Sequence, residues 1–226
     1  SLAGSSVSNW RSMDKVIGKY PFVPFGELNF CNQHGILYQK DMTVSVPYDE
    51  AYFDKYVKYE DTPISHGINK GRIALSHKYC KTILDIGIGS GEFIKKSTAK
   101  MYGFDINPKA VVWLKDRRIW VDPYEHIPAD IEGITMWDTL EHIPKPTELL
   151  EKLRSGMYAF VALPIFDDLT KVRFSKHYRP NEHYYYYTVG GLTKYLDDVG
   201  FDFVEICDKE SLSGRENILA FAFKKR

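Results

Sequence analysis

Asp85, Gly87, Gly89 and Gly91 alternate with apolar or small residues in the segment Thr82–Phe93, TILDIGIGSGEF. Ile83, Leu84 and Ile86 read as a buried parallel strand. The glycines let the chain turn tightly, and Glu92 opens a helix. A strand–glycine–helix unit leaves bare backbone N–H groups beside a helix amino terminus, with no side chains in the way. That is a nucleotide-binding construction. The dinucleotide fingerprint G-x-G-x-x-G does not fit, because the third residue after Gly89 is Glu92 and the third after Gly91 is Ile94. The pattern is D-x-G-x-G-x-G. A second short strand, Gly103–Asn107, carries Asp105, an acid able to accept two hydrogen bonds from vicinal ribose hydroxyls. It stands 14 residues beyond Gly91, short of the ~20 usual in dinucleotide folds, so the helix between them must be clipped. Further on, Asp138, Glu141 and His142 form D-x-x-E-H, and His183 directly precedes the run Tyr184–Tyr187. A histidine titrating near neutrality is a natural base for a hydroxyl or amine. His142, His177 and His183 are the candidates.

Taken together, these motifs resemble those of class I S-adenosylmethionine (SAM)-dependent methyltransferases acting on small molecules. The glycine segment is similar to their first motif, and ITMWDTLEHI from Ile134 to their fourth-strand motif. Tyr158–Pro164 (YAFVALP) is similar to their fifth strand, and EHYYYYTVGGLTKYLDDVGF from Glu182 to the segment before their sixth. The resemblance spans roughly Lys81 to Arg226. It implies a Rossmann-like α/β fold: a doubly wound, seven-stranded, mostly parallel sheet whose antiparallel last strand inserts as a hairpin. It also implies SAM as donor, S-adenosylhomocysteine as product, and a small or medium-sized acceptor methylated at O, N or C. By the same resemblance the loop Gly87–Gly91 would lie along the methionine and ribose. Asp85 would answer the α-ammonium through water, and Asp105 would bind the ribose diol. Ile106 and Asn107 would flank the adenine, with Asp122 and Asp130 as candidates for its amino group.

For D-x-x-E-H three roles stay open. The side chains cap the turn before Pro144, or Trp137 and Asp138 border the SAM methionine while His142 faces the acceptor. The third role is a divalent-metal site, since some quinone O-methyltransferases carry E-x-x-E-H at this point. Here Asp shortens the reach of the first acid, and an oxygen-rich site needs more ligands than are visible, so no metal is expected. His183 is the first residue to test as the base, then His142. The tyrosine run either walls an acceptor pocket or packs under the N-terminal part. Two rivals remain: a SAM-binding module without catalysis, and an NAD-dependent oxidoreductase. The second is disfavoured by the glycine spacing and has no use for DTLEHI.

The elements that must position these groups alternate. Strands are expected at 82–86, 101–105, 119–121, 131–137, 157–163, 201–206 and 218–223. Helices are expected at 91–99, 108–116 and 146–153, and at 192–199, where Leu192, Tyr195, Leu196 and Val199 share a face that Gly200 ends. Such βαβ alternation builds a doubly wound sheet. Residues 1–79 read as an extension, a lid or packing segment, ahead of the SAM-binding domain at 80–226. Within it, Tyr48, Tyr52 and Tyr56 fall a turn apart on an expected helix, and Ile68–His77 form another. No strand alternation stands out there.

Acids and bases balance at 30 each, which leaves no basic field for a nucleic-acid partner. Three cysteines far apart in the chain fit reduced thiols in a cytoplasmic protein. Cys31 and His34 have zinc-like spacing but no second pair. The longest apolar run, Met157–Phe166, is too short for the ~20 residues of a membrane span, and no secretory signal is visible. SLAGSS reads as a processed or added start and is set aside. A monomer or homodimer is expected.

Overall fold

A computed structural model describes residues 28–40, 53–54, 57–180 and 182–226. Tyr48, Tyr52 and Tyr56 of the helix expected over 48–60 lie outside the described residues. The elements run β1 (Leu28–Cys31), β2 (Ile36–Gln39), α1 (Pro63–His77), β3 (Thr82–Ile86), α2 (Glu92–Lys96), β4 (Lys100–Phe104), α3 (Pro108–Asp116) and β5 (Gly133–Trp137). They continue with α4 (Pro146–Leu150), β6 (Tyr158–Pro164), β7 (Tyr185–Tyr186), α5 (Val189–Asp198), β8 (Phe201–Cys207), α6 (Lys209–Leu212) and β9 (Ile218–Lys225).

The main sheet has the order β4-β3-β5-β6-β9-β8. Its first four strands are parallel, and β9 runs antiparallel between β6 and β8. Ile83 and Leu84 point to opposite faces of β3 and both are fully buried, as a parallel strand covered on both sides requires. The sheet has six strands, not seven. The strand expected at 119–121 shrinks to a single parallel bridge between Gly103 and Trp120. Arg118 before it turns left-handed at φ 57, and Pro123 after it has no N–H to continue a ladder.

Helix α2 is only five residues long, the clipping that the Asp105 spacing demands. Helix α1 starts earlier than its apolar periodicity predicts. Pro63 opens it and the Thr62 hydroxyl accepts the Ser65 N–H, a first turn built by N-cap chemistry. Its buried stripe is mostly polar, with Ser65, Asn69 and Ser76 facing inward and the Arg72 side chain only 12% exposed.

A second, three-stranded antiparallel sheet, β1-β2-β7, forms where no strands were expected. The tyrosine run supplies β7, and Tyr185, Tyr186 and Tyr187 are all buried. Cys31 and His34 sit in the β1–β2 hairpin. The Cys31 Sγ lies 3.3 Å from His34 Nδ1, and His34 Nε2 lies 2.9 Å from Asp198 Oδ2, which ties the hairpin to the end of α5. Among the described residues no helix is long and apolar enough to cross a membrane.

Candidate functional site

The carboxyl end of β3 runs into the glycine bend. Gly87, Gly89 and Gly91 all have positive φ, at 76, 55 and 76°. A Cβ on Gly87 would stand 2.5 Å from the Thr139 Oγ1, so only glycine lets this bend approach the turn after β5. The N–H groups of all three glycines, expected to be bare, are engaged. Gly87 N–H donates to the Phe104 carbonyl and Gly91 N–H to that of Ile88, each at 2.8 Å, while Gly89 N–H donates to Asp105 Oδ2 at 3.3 Å. The bend therefore offers close approach rather than a phosphate cradle.

Asp105 follows β4 directly and also accepts the Asn107 N–H at 2.8 Å. Burial raises its pKa in spite of these bonds. Asp85 is buried in β3 and accepts the Thr135 hydroxyl at 2.6 Å. Burial pushes its carboxyl up to about 7, against that bond and the charge of Arg72, with Asp105 adding to the rise. Neither acid forms an ion pair among the described residues. Ile106, the next residue after Asp105, is 65% exposed. Asn107 is buried and its Oδ1 caps α3, accepting the N–H groups of Lys109 and Ala110 at 2.9 and 3.4 Å.

The end of β5 is built differently. Trp137 is buried, with Phe93 edge-on at 5.5 Å between centroids and the Arg72 guanidinium 5.2 Å from the ring centroid. Asp138 has a left-handed φ of 54. Its Oδ2 accepts Arg72 Nη2 at 2.8 Å and Arg215 Nη1 at 3.0 Å, and its Oδ1 accepts Arg215 Nη2 at 2.8 Å. Glu210 of α6 completes a network of two acids and two bases, taking Arg72 Nε at 2.7 Å and a further bond from Arg215. Burial works against the Asp138 charge, but the guanidiniums of Arg215 and Arg72 outweigh it and hold the carboxyl well below its usual range. Arg72, Arg215 and Glu210 were not found from sequence. The one available signal was the polar stripe Ser65, Asn69, Arg72, Ser76 at helical spacing.

Just beyond, a short 3-10 turn at Leu140–His142 carries Glu141 and His142. Glu141 is 1% exposed, and burial, then the nearby Asp138 charge, raise its pKa well above the usual value. His142 Nδ1 donates to the Glu182 carbonyl at 3.0 Å. The rings of His142 and His183 meet edge-on, 4.6 Å apart. Burial lowers the pKa of both, and for His183 it reaches about 3 with the charges of His142 and Arg179 adding to the fall.

The structure thus gathers Asp85, the glycines and Asp105 at one strand end and Asp138, His142 and His183 beside them. His177 bonds instead to the Glu216 carbonyl at 2.8 Å. Asp130 pairs with Lys100, the first residue of β4, at 2.7 Å, which puts it at the opposite end of the strands. Asp122 accepts the Tyr124 N–H at 2.8 Å.

A family profile described as a methyltransferase domain matches residues 56–206. No curated protein matches the chain. Among solved structures, the Burkholderia thailandensis 1,6-didemethyltoxoflavin-N1-methyltransferase with bound 1,6-didemethyltoxoflavin and S-adenosylhomocysteine aligns with a TM-score of 0.56 and 14% identity, covering 77% of this chain and 84% of that one. A SAM-dependent methyltransferase from Archaeoglobus fulgidus aligns with a TM-score of 0.54 and 20% identity, covering 78% and 100%. The magnesium protoporphyrin IX methyltransferase of Synechocystis PCC 6803 with bound S-adenosylhomocysteine aligns with a TM-score of 0.54 and 16% identity, covering 79% and 96%.

Proposed function

The chain belongs to the methyltransferase-domain family, and from that premise we propose that it moves the methyl group of SAM to an oxygen, nitrogen or carbon of a small or medium-sized acceptor. The observation that carries this is the contact between Asp105 and the Gly89 N–H, which sets the acid of β4 against the glycine bend of β3. SAM brings a ribose diol, an α-ammonium and a sulfonium. Asp105 offers two oxygens to the diol. Asp85, buried without a bonded cation, answers the ammonium, and the exposed Ile106 covers the adenine. The glycines admit the methionine and ribose at close range, and the backbone of Asp138 borders the methionine while its carboxylate stays with the arginines.

The sulfonium is already a strong electrophile, so the chain's main task is alignment of nucleophile, methyl and sulfur. His142 and His183 stand beside the site as the acceptor-facing histidines. Their low pKa values leave both imidazoles neutral at pH 7, so either takes up an acceptor proton only weakly.

Titration calorimetry tests the cofactor. Saturable binding of SAM and none of NAD is expected. Asp105→Ala should weaken SAM at least about tenfold, the equivalent of one charge-assisted hydrogen bond of 1.5–3 kcal/mol. Binding of NAD without SAM would end this proposal. Methyl release measured over an acceptor panel then separates an enzyme from a silent SAM-binding module.

A further inference from the structure

We propose that Glu141, His142 and His183 hold a divalent transition-metal ion of the zinc or manganese kind. One ligand atom from each lies within 4.8 Å of the others. Ligand bonds of about 2.0–2.2 Å place two tetrahedral ligands of one ion roughly 3.3–3.6 Å apart, so closing the set takes side-chain shifts on the order of an ångström. Glu141 is 1% exposed, and its Oε2 has no hydrogen-bond partner among the described residues. A carboxylate oxygen withdrawn from water without a partner is costly, and a cation coordinated by that carboxylate removes the cost. The Tyr187 hydroxyl is likewise buried without a hydrogen-bond partner among the described residues.

The two histidines are held for ligation. A carbonyl oxygen only accepts, so His142 Nδ1 donates its hydrogen to Glu182, and the neutral ring then carries its lone pair on Nε2. This is the carbonyl-oriented imidazole common at metal centres. Tyr184 N–H donates to the Glu141 carbonyl at 2.8 Å and binds the segment bearing His183 to the turn bearing the other two. Sequence spacing grouped Asp138 with Glu141 and His142. In the fold Arg72 and Arg215 take Asp138, and His183, more than 40 residues on, stands in its place. Two imidazoles and one carboxylate suit zinc, manganese or cobalt better than magnesium or calcium, and three protein ligands leave positions open for water or an oxygen ligand.

The test needs neither SAM nor an acceptor, so it stands or falls apart from the proposed reaction. Protein stripped with chelator is titrated with Zn2+, Mn2+ and Co2+. One ion per chain is expected, with Co2+ giving ligand-field absorption and bound Mn2+ showing imidazole nitrogen couplings by electron paramagnetic resonance. Glu141→Gln and His183→Ala should each weaken binding by about a hundredfold or more, while His177→Ala leaves it unchanged. If the wild-type chain binds none of the three ions saturably, the site does not exist. Binding without imidazole couplings, or undiminished in a folded Glu141→Gln variant, overturns the assignment and marks adventitious metal elsewhere.

Discussion

The carboxyl ends of β3 and β5 lie on neighbouring strands and each carries an aspartate, yet the two ends are electrostatic opposites. At β3, Asp85 is buried with a threonine hydroxyl for company and sits near Asp105, and burial lifts both pKa values. At β5, Asp138 is gripped by Arg72 and Arg215, and Glu210 balances the second positive charge. The chain commits its cations to the strand end that it must hold in shape. It leaves acids unmatched at the end proposed to meet a positively charged donor. A matched acid bolts a turn whose positive φ needs support, whereas an unmatched one is held in readiness for a ligand.

The largest effect comes from loosening the bolt. Arg72→Met should cost about 3–4 kcal/mol, since it leaves Asp138 and the buried Glu210 to share one guanidinium. For a chain of this size that lowers the melting temperature by about 10 °C, readable by calorimetry or by a urea midpoint. If stability holds while SAM affinity collapses, Arg72 belongs with the ligand and the contrast between the two ends fails.

What the sequence revealed and what it hid divide along the same line. The glycine bend was legible because D-x-G-x-G-x-G records backbone demands locally: each glycine has positive φ, and the short α2 follows from the position of Asp105. The doubly wound sheet followed from the βαβ alternation, whereas the antiparallel insertion of the last strand followed the family resemblance rather than any periodicity. The bolt stayed hidden because its members come from α1, the end of β5, α6 and the loop before β9, and no local pattern joins Arg72 to Arg215. Helix α1 concealed itself further, for its inner face carries Ser65, Asn69 and Arg72, so apolar periodicity found only its second half. The β1–β2–β7 sheet was missed for a related reason. Strand β7 has just two residues, and its tyrosines read equally well as pocket wall or packing. The seventh strand failed for want of length between Arg118 and Pro123.

At the other end, Asp85→Asn should act in the opposite direction to Arg72→Met. An acid whose pKa is raised on folding keeps a proton that the unfolded chain has already lost. Its contribution to stability is therefore greatest below about pH 4 and declines as pH rises toward 7. The asparagine removes that decline, so the variant should exceed the wild type at pH 8 by on the order of 2 kcal/mol and lose the advantage near pH 4. Paired thermal melts at the two pH values check the sign. The α-ammonium of SAM favours the charged carboxylate, so wild-type affinity should rise between pH 6 and 8 and the variant should lose that rise. A wild-type chain that gains stability relative to the variant on going to pH 8 would mean that Asp85 is matched after all.

The smallest effect separates fold from ligand within a single dipeptide. Ile106 and Asn107 both follow Asp105, the acid proposed for the ribose, and both were expected beside the adenine. One is exposed. The other is turned inward to cap α3. Losing an N-cap typically costs about 1 kcal/mol, so Asn107→Ala should lower the urea midpoint slightly while SAM affinity stays within about twofold, well under the tenfold of 1.4 kcal/mol. Ile106→Ser should do the reverse, weakening SAM several-fold with little change in stability, because its side chain is already in water. Should Asn107→Ala cost affinity beyond what its lost cap explains, the amide reaches the nucleoside. The boundary between scaffold and cofactor surface would then run one residue further along the chain than the cap geometry places it.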